Sequence, residues 1–268
     1  MSSSTCLMEL AIKVVNEASS ILRELFYQDS SRRIAGIGYS GDISFEADLV
    51  VEKHIVKRIL SSGFKTMIVT EEEGLLSIDN PDYVALVDPL DGSLNFYTRI
   101  PFIAVSVVFY DYSQPYTDRA IAGALSNVFL HETYSFDEEN MYVNGKPLEN
   151  IDRDVKGVFS IYTDDSNLIS RIKNILEKTT NTRFKIRTLG SASLESTYSV
   201  LGLIDMFISN TGRLRNLDIA FALAISEKLG LKSINLAGRE VRFRTDRVEE
   251  IESIVLGKLS GIVRNMLL

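Results

Sequence analysis

The sequence predicts an α+β chain. Three observations point to it: an apolar stripe at helical spacing near the start, two short β-rich runs that end on acids, and longer apolar runs with the spacing of an antiparallel sheet. The stripe, Leu7, Leu10, Ala11, Val14, Val15, Ala18, Ile21, Leu22 and Leu25, marks one face of a core helix over about residues 5–26. A glycine-rich loop, GIGYSGD at 36–42, leads into a second amphipathic helix. It begins near Ser44 to Glu46, turns Leu49, Val50, Ile55, Val56 and Ile59 inward, and stops near Ser61 to Gly63. TMIVT (66–70) and YVALVDP (83–89) read as buried strands whose ends open onto acidic loops, and the runs between Ile100 and Glu132 read as antiparallel sheet, with Asn144-Gly145 as a turn beyond them.

The second half begins with the strand VFSIY (158–162). Helices follow at about 166–178 and 191–202, then the strand IDMFIS (204–209) and a helix at about 216–229. Strands at 231–235 and 240–244 and a terminal helix near 248–266 complete the reading. With no repeat, low-complexity tract or long linker, the chain is expected to be one unit of two lobes, 1–155 (α+β) and 156–268 (α/β).

Composition removes several classes of function. The 268 residues carry 36 acidic and 29 basic side chains, a formal charge of −7, and are 45% hydrophobic, ordinary values for a globular protein with a full core. A single cysteine, Cys6, excludes an intramolecular disulfide and a cysteine-based zinc site, and two histidines, His54 and His131, are too few for a typical zinc enzyme. Any metal here must prefer oxygen. No apolar run approaches the roughly 20 residues of a membrane span, and the start MSSSTCLMEL lacks the pattern of a signal peptide, so the expectation is a cytoplasmic protein with no membrane partner. Net negative charge without a basic run argues against nucleic acid as a partner.

The informative element is VDPLDGSLNF, residues 87–96. Asp88 ends an apolar strand, Pro89 fixes a turn, and Asp91 follows three residues on, so both carboxylates and the Leu90 carbonyl can face one point, as a hard cation requires. Gly92 and Ser93 then open a helical turn whose unpaired N–H groups suit an anion. Taken alone, D-x-x-D-G serves equally as an Asx turn with a helix cap. Other acids change that balance. TEEEG (70–74) ends the preceding strand and brings Glu71 toward Asp88 if the strands are neighbours. Asp218 in RNLDIAFALAI starts an otherwise apolar helix, and GDISFEADLVVE sets Asp48 and Glu52 one turn apart, where like charges repel. At an effective dielectric constant near 20, each carboxylate pair about 5 Å apart costs roughly 3 kcal/mol. A cluster of Asp48, Glu71, Asp88 and Asp91 therefore demands divalent cations or protonation.

GDISFEAD, TEEEG, DPLDGSLNF and LDIA, in this order and at about these separations, resemble the inositol monophosphatase family, within a superfamily of magnesium-dependent, lithium-sensitive phosphatases that includes fructose-1,6-bisphosphatases. The likeness spans nearly the whole chain. NLDIA lacks the tryptophan usual before the aspartate, and GRLRNLDIA carries two arginines upstream, features similar to the archaeal branch that combines inositol monophosphatase and fructose-1,6-bisphosphatase activity. The resemblance implies a layered αβαβα sandwich, a homodimer, and two or three Mg²⁺ per subunit. It assigns Glu71, Asp88 and the Leu90 carbonyl to one ion, and Asp88, Asp91 and Asp218 to a second. Glu71 also serves a weaker third ion, with Glu72 a lesser contributor. It makes Asp48, Ser93 and Glu71 catalytic, with serine in place of the more usual threonine at 93. Substrate contacts fall on Asp91, Gly92, Ser93, Arg187, Ala192 and Arg213, with Arg215 a weaker candidate.

The function so implied is hydrolysis of a phosphorylated polyol or sugar, inositol 1-phosphate and/or fructose 1,6-bisphosphate, by metal-activated water. The alternatives are a 3′(2′),5′-bisphosphate nucleotidase and a regulatory or binding protein that retains the fold.

Overall fold

The computed structural model describes residues 2–39, 41, 43–151 and 153–264. In chain order the elements of the first half are α1 (Ser3–Leu25), β1 (Ile34–Ile37), β2 (Ile43–Phe45), α2 (Glu46–Leu60), β3 (Thr66–Thr70), β4 (Leu75–Leu76), β5 (Tyr83–Asp91), α3 (Ser93–Thr98), β6 (Ala104–Asp111), β7 (Ala120–Asn127), β8 (Glu132–Phe136), β9 (Met141–Val143) and β10 (Lys146–Pro147). The second half runs through β11 (Val158–Tyr162), α4 (Ser166–Thr180), β12 (Lys185–Arg187), α5 (Ala192–Val200), β13 (Met206–Ser209), β14 (Leu214–Arg215), α6 (Ala220–Lys228), β15 (Glu250–Ile251), β16 (Ile254–Leu256) and α7 (Ser260–Arg264).

Two main sheets organise these elements. The larger has the order β10-β9-β8-β7-β6-β5-β3-β4 and the smaller β12-β11-β13-β16. Three apolar clusters say how they stack. One joins the inward stripe of α1 and α2 to a face of the large sheet, through Leu7, Val14, Leu22, Val51, Ile55, Val87 and Val107. The second fills the space between the other face of that sheet, α5, α6 and the small sheet, through Leu86, Val108, Leu194, Phe207, Phe221 and Leu256. The third packs the far face of the small sheet against α4, through Phe159, Ile172, Leu176 and Ile208. Helix, sheet, helix, sheet, helix is the αβαβα layering, and it leaves both sheets covered on both faces. Among the described residues no helix is long and apolar enough to cross a membrane.

Most predicted elements lie where the periodicity put them, including the turn at Asn144-Gly145, whose φ values of 50° and 74° are those of a tight hairpin. Four expectations need correction. In α2 the buried positions are Ala47, Asp48, Val51, Glu52, Ile55 and Ile59, while Val50 is exposed. A hydrophobic-pattern reading places acids outside, whereas here two acids share the inward face. The helix expected from 216 begins only at Ala220, so Asp218 lies in the turn before it. The strands expected at 231–235 and 240–244 reduce to isolated bridges, Ile234 to Glu240, Ile234 to Val255 and Tyr116 to Arg244. In place of a helix near 248–266 stand β15 and β16, and only 260–264 are helical, with 265 and 266 outside the described residues. Val248, Ile251, Ile254 and Val255 have helical spacing, but they are β-branched, and β16 pairs antiparallel to β13 with Ile208 opposite Val255.

Candidate active site

The DPLDGS segment owes its geometry to a bulge. In β5, Asp88 stands opposite Ser106 of β6, and Asp91 stands opposite Ala104, so two residues, Pro89 and Leu90, face the single residue Val105. Side chains three apart on a regular strand point to opposite faces; the extra residue brings Asp88 and Asp91 to the same one. Pro89 has no N–H to lose from the ladder there, and the Leu90 N–H donates to Asp88 Oδ1 at 3.2 Å. Gly92 then turns the chain at φ 90°, and α3 starts at Ser93, whose N–H has no intrahelical acceptor. A side chain at Gly92 would press on the Gly190 carbonyl, 3.0 Å from where its Cβ would stand.

β3 runs parallel to β5 with Thr70 beside Val87, which sets Glu71 next to Asp88 as the sequence reading required. The loop that carries Glu71 is held from below. Glu52, almost fully buried on α2, accepts from the Thr70 hydroxyl at 2.5 Å and from the Glu72 and Glu73 N–H groups at 2.9 Å each. Asp48, one turn earlier, accepts from the Phe45 N–H at 2.7 Å and so closes the start of α2. From above, the chain after β1 lies on the same loop: the Tyr39 N–H donates to the Glu72 carbonyl at 3.1 Å, and a side chain at Gly38 would collide with the Glu72 carboxylate. Of the loop 36–42, residues 40 and 42 lie outside those described.

The far wall comes from the second half. Asp218 Oδ2 accepts from the Arg215 N–H at 2.7 Å, a turn that fixes the carboxylate just ahead of α6. Arg215 Nη2 lies 2.8 Å from Glu71 Oε1, and its Nε is 3.5 Å from Asp218 Oδ1, so the guanidinium stands among the acids. Asp91 is met by the start of α5: it accepts from the Ser191 hydroxyl and from the Ala192 and Ser193 N–H groups, each at 3.0 Å. The N–H of Ala192, a residue that the resemblance makes a substrate contact, is thus directed at Asp91. Arg187, on the edge strand β12, and Arg213, in the turn before β14, are exposed. No hydrogen bond joins Ser93 to Asp48 among the described residues, although the resemblance implies that pairing.

These acids are out of water and close to one another, and their protonation shows it. Burial pushes Asp48 and Asp91 up to about 7, with the Phe45 N–H and the Ser191 hydroxyl respectively opposing the shift. Burial also holds Glu71 and Asp88 well above the usual carboxylate range, and Asp88 is raised further by Asp91, Glu71 and Asp218. The donor set is all oxygen and strongly anionic, which is the chemistry a hard divalent cation satisfies. Among the described residues no three acidic or histidine side chains close around one point as a ready-made cage. Mg²⁺ does not require one, because it keeps several waters and takes one or two carboxylates plus substrate phosphate, whereas Ca²⁺ takes six to eight oxygen ligands at longer distance. The residues fit Mg²⁺.

A model of the inositol monophosphatase family matches residues 3–262. The chain belongs to the inositol monophosphatase family. It is 31% identical over 263 residues to an inositol-1-monophosphatase of Aeropyrum pernix, covering 96% of this chain and 95% of the relative. It is 27% identical to a fructose-1,6-bisphosphatase/inositol-1-monophosphatase of Methanothermobacter thermautotrophicus, over 87% of this chain and 85% of that one. Its fold matches the crystal structure of an inositol monophosphatase-fructose 1,6-bisphosphatase with a TM-score of 0.77 at 23% identity, over 97% and 98% of the two chains. Two residues that support the acidic cluster receive no such role from the sequence. In the sequence Glu52 is only an acid that repels Asp48, and the resemblance makes Arg215 a weaker candidate than Arg213, although Arg215 is the one that meets Glu71. Its signal was available: three residues before Asp218, it can share a tight turn with that aspartate.

Proposed function

We propose that this protein is a magnesium-dependent phosphomonoesterase that hydrolyses inositol 1-phosphate, fructose 1,6-bisphosphate or both. The observation that carries the reading is the β5 bulge, which aims Asp88 and Asp91 the same way and places the Gly92 and Ser93 amides immediately beyond them. Glu71, Asp88, the Leu90 carbonyl, Asp91 and Asp218 are the groups that would hold two or three Mg²⁺. Held there, Mg²⁺ would supply charge to neutralise the phosphoryl oxygens and the departing alkoxide and would let a water lose its proton near neutral pH.

The chain supplies the rest. The Gly92 and Ser93 N–H groups bind the phosphoryl oxygens. The Ser93 hydroxyl orients the attacking water, and Asp48, whose affinity for a proton is tuned to about pH 7, takes its proton. Arg187 and Arg213, both exposed, meet the hydroxyl groups or second phosphate of the substrate. Lithium sensitivity, a cytoplasmic homodimer and the division into lobes 1–155 and 156–268 belong to the same reading.

The test is phosphate release by purified protein with Mg²⁺, comparing inositol 1-phosphate, fructose 1,6-bisphosphate and adenosine 3′,5′-bisphosphate. Release from the first two supports the proposal, release from the nucleotide alone replaces the substrate, and no release from any of them removes the enzymatic reading.

A further inference from the structure

Helix α5 is buried along most of its length, yet it carries a carboxylate, Glu195, with no exposed surface. A buried charge persists only if its oxygens are satisfied, and these are fully engaged. Oε1 accepts from the Ser160 hydroxyl at 2.6 Å and from the Leu189 N–H at 3.0 Å. Oε2 accepts from the Tyr162 hydroxyl and from the Gly190 N–H at 3.1 Å. The two side-chain donors come from β11, while the two amides belong to the short segment between β12 and α5. That segment is pinned from its other side, because Asn95 of α3 donates from Nδ2 to the Leu189 carbonyl at 2.7 Å and to the Phe102 carbonyl at 2.8 Å. It then runs straight into Ser191, Ala192 and Ser193, the three donors to Asp91.

We infer that Glu195 is a positioning residue for the candidate site, acting on Asp91 through the Leu189–Gly190 amides and on the phosphate cradle through the seating of Gly190 against Gly92. The inference rests on the function proposed above. Glu195 touches neither substrate nor metal ligand. What it fixes is the direction of the α5 N-terminus and therefore which way the Asp91 oxygens point. A chain without it leaves the Leu189 amide unpaired and the Gly190 amide with the Tyr162 hydroxyl as its remaining partner, and frees the 188–191 segment to shift relative to Gly92, whose missing Cβ would otherwise meet the Gly190 carbonyl at 3.0 Å. Tyr162 donates to Glu195 and accepts from the Gly190 N–H at 3.0 Å, but Glu195 alone pairs with both the Leu189 and the Gly190 amides, so removing the Tyr162 hydroxyl leaves both amides with a partner.

The experiment compares Glu195→Gln, Glu195→Leu and Tyr162→Phe with the parent chain. Two measurements are made on each: turnover at saturating Mg²⁺, and the rise in melting temperature on adding Mn²⁺ to protein freed of metal, which reads the acidic site without reference to activity. The inference expects Glu195→Leu to lower kcat at least tenfold with KM for substrate changed less than threefold, and to cut the Mn²⁺-induced rise by half or more. Glu195→Gln, which keeps one acceptor, recovers part of both, and Tyr162→Phe stays within threefold of the parent in kcat. Unchanged kcat and an unchanged Mn²⁺ response in a folded Glu195→Gln or Glu195→Leu chain would overturn it, as would a purely thermal loss with the metal response intact. If the parent chain releases no phosphate, the proposed function fails, while the Mn²⁺ response still decides the role of Glu195.

Discussion

Arg215 and Glu71 form an ion pair of 2.8 Å between Nη2 and Oε1 inside the acidic cluster, both nearly out of solvent. A guanidinium there does part of the work of a cation, offsetting charge on Glu71 and, at 3.5 Å, on Asp218. It therefore stabilises the chain without metal and opposes metal entry. Replacing Arg215 by Met keeps the bulk and removes the charge. The metal-free protein should lose about 2 kcal/mol, or roughly 6 °C in melting temperature. Divalent affinity should rise about tenfold, or ~1.4 kcal/mol. Calorimetric melting in chelator and titration calorimetry with Mn²⁺ read the two effects, and weaker binding by the variant would show that Arg215 orders the ligands rather than competing with the ion.

Asp88 has neighbouring acids in Asp91, Glu71 and Asp218, opposed by the Arg215 guanidinium and by the Leu90 N–H that donates to it. Asp88→Asn or Asp91→Asn relieves repulsion while removing a ligand, so the two effects on the protein have opposite signs. Metal-free stability should hold or rise, and turnover should fall by about 10³-fold, the equivalent of the several kcal/mol that metal charge contributes to a phosphoryl transition state. Melting curves and phosphate release on the same preparations check both. A variant that turns over normally would end the assignment of these two acids to the metal site.

The pH dependence of stability follows from the same burial. Asp48 and Asp91 bind their protons with a folded value of about 7 against 3.8 for the ordinary side chain. Between those values the folded chain holds more protons than the unfolded one, so stability falls as pH rises through that window. Without metal, the melting temperature should drop between pH 5 and pH 8, by about 5 °C or more. With saturating Mg²⁺, which requires the ionised acids, the drop should vanish. Scanning calorimetry across that range, with chelator and with Mg²⁺, distinguishes the two lines; parallel lines would mean that the ion does not bind at these carboxylates.

Parts of this fold were legible because a single physical signal dominated them. The α1 stripe appears unbroken in the buried set Leu7, Ala11, Val14, Val15, Ala18 and Leu22, and the neighbourhood of Glu71 and Asp88 followed from two consecutive buried strands. Illegible parts are those where two signals compete. On α2 the inward face is shared by Val51 and Ile55 with Asp48 and Glu52, so the apolar pattern points one way and the chemistry of the site another. In residues 248–256 the spacing of apolar side chains is helical, but pairing with β13 decides the conformation, and partners distant in sequence leave no local trace. Asp88 and Asp91 were read as convergent without the device that makes them so, because a bulge is set by register against Ser106 and Ala104 of the next strand. Arg213 and Arg215 stand two apart, a spacing that on a strand would give them one face; Arg213 instead lies exposed in the turn before β14, while Arg215 on β14 is drawn inward to Glu71 and Asp218.

That difference in position separates the roles of the two arginines and makes Arg213 testable by itself. Arg215 is committed to Glu71 and Asp218, so it is poorly placed to read a substrate, whereas Arg213 is exposed. A guanidinium meeting a second phosphate contributes a charge-assisted hydrogen bond of about 1.5–3 kcal/mol. Arg213→Ala should therefore raise KM for fructose 1,6-bisphosphate by roughly 10- to 100-fold while changing KM for inositol 1-phosphate by less than about threefold. Its melting temperature should be unaltered, since an exposed side chain outside the core carries little stability. Steady-state kinetics with both substrates give the comparison. Equal increases would place Arg213 on the phosphate under attack, and no increase for either would leave Arg187 as the arginine that meets the second anionic group.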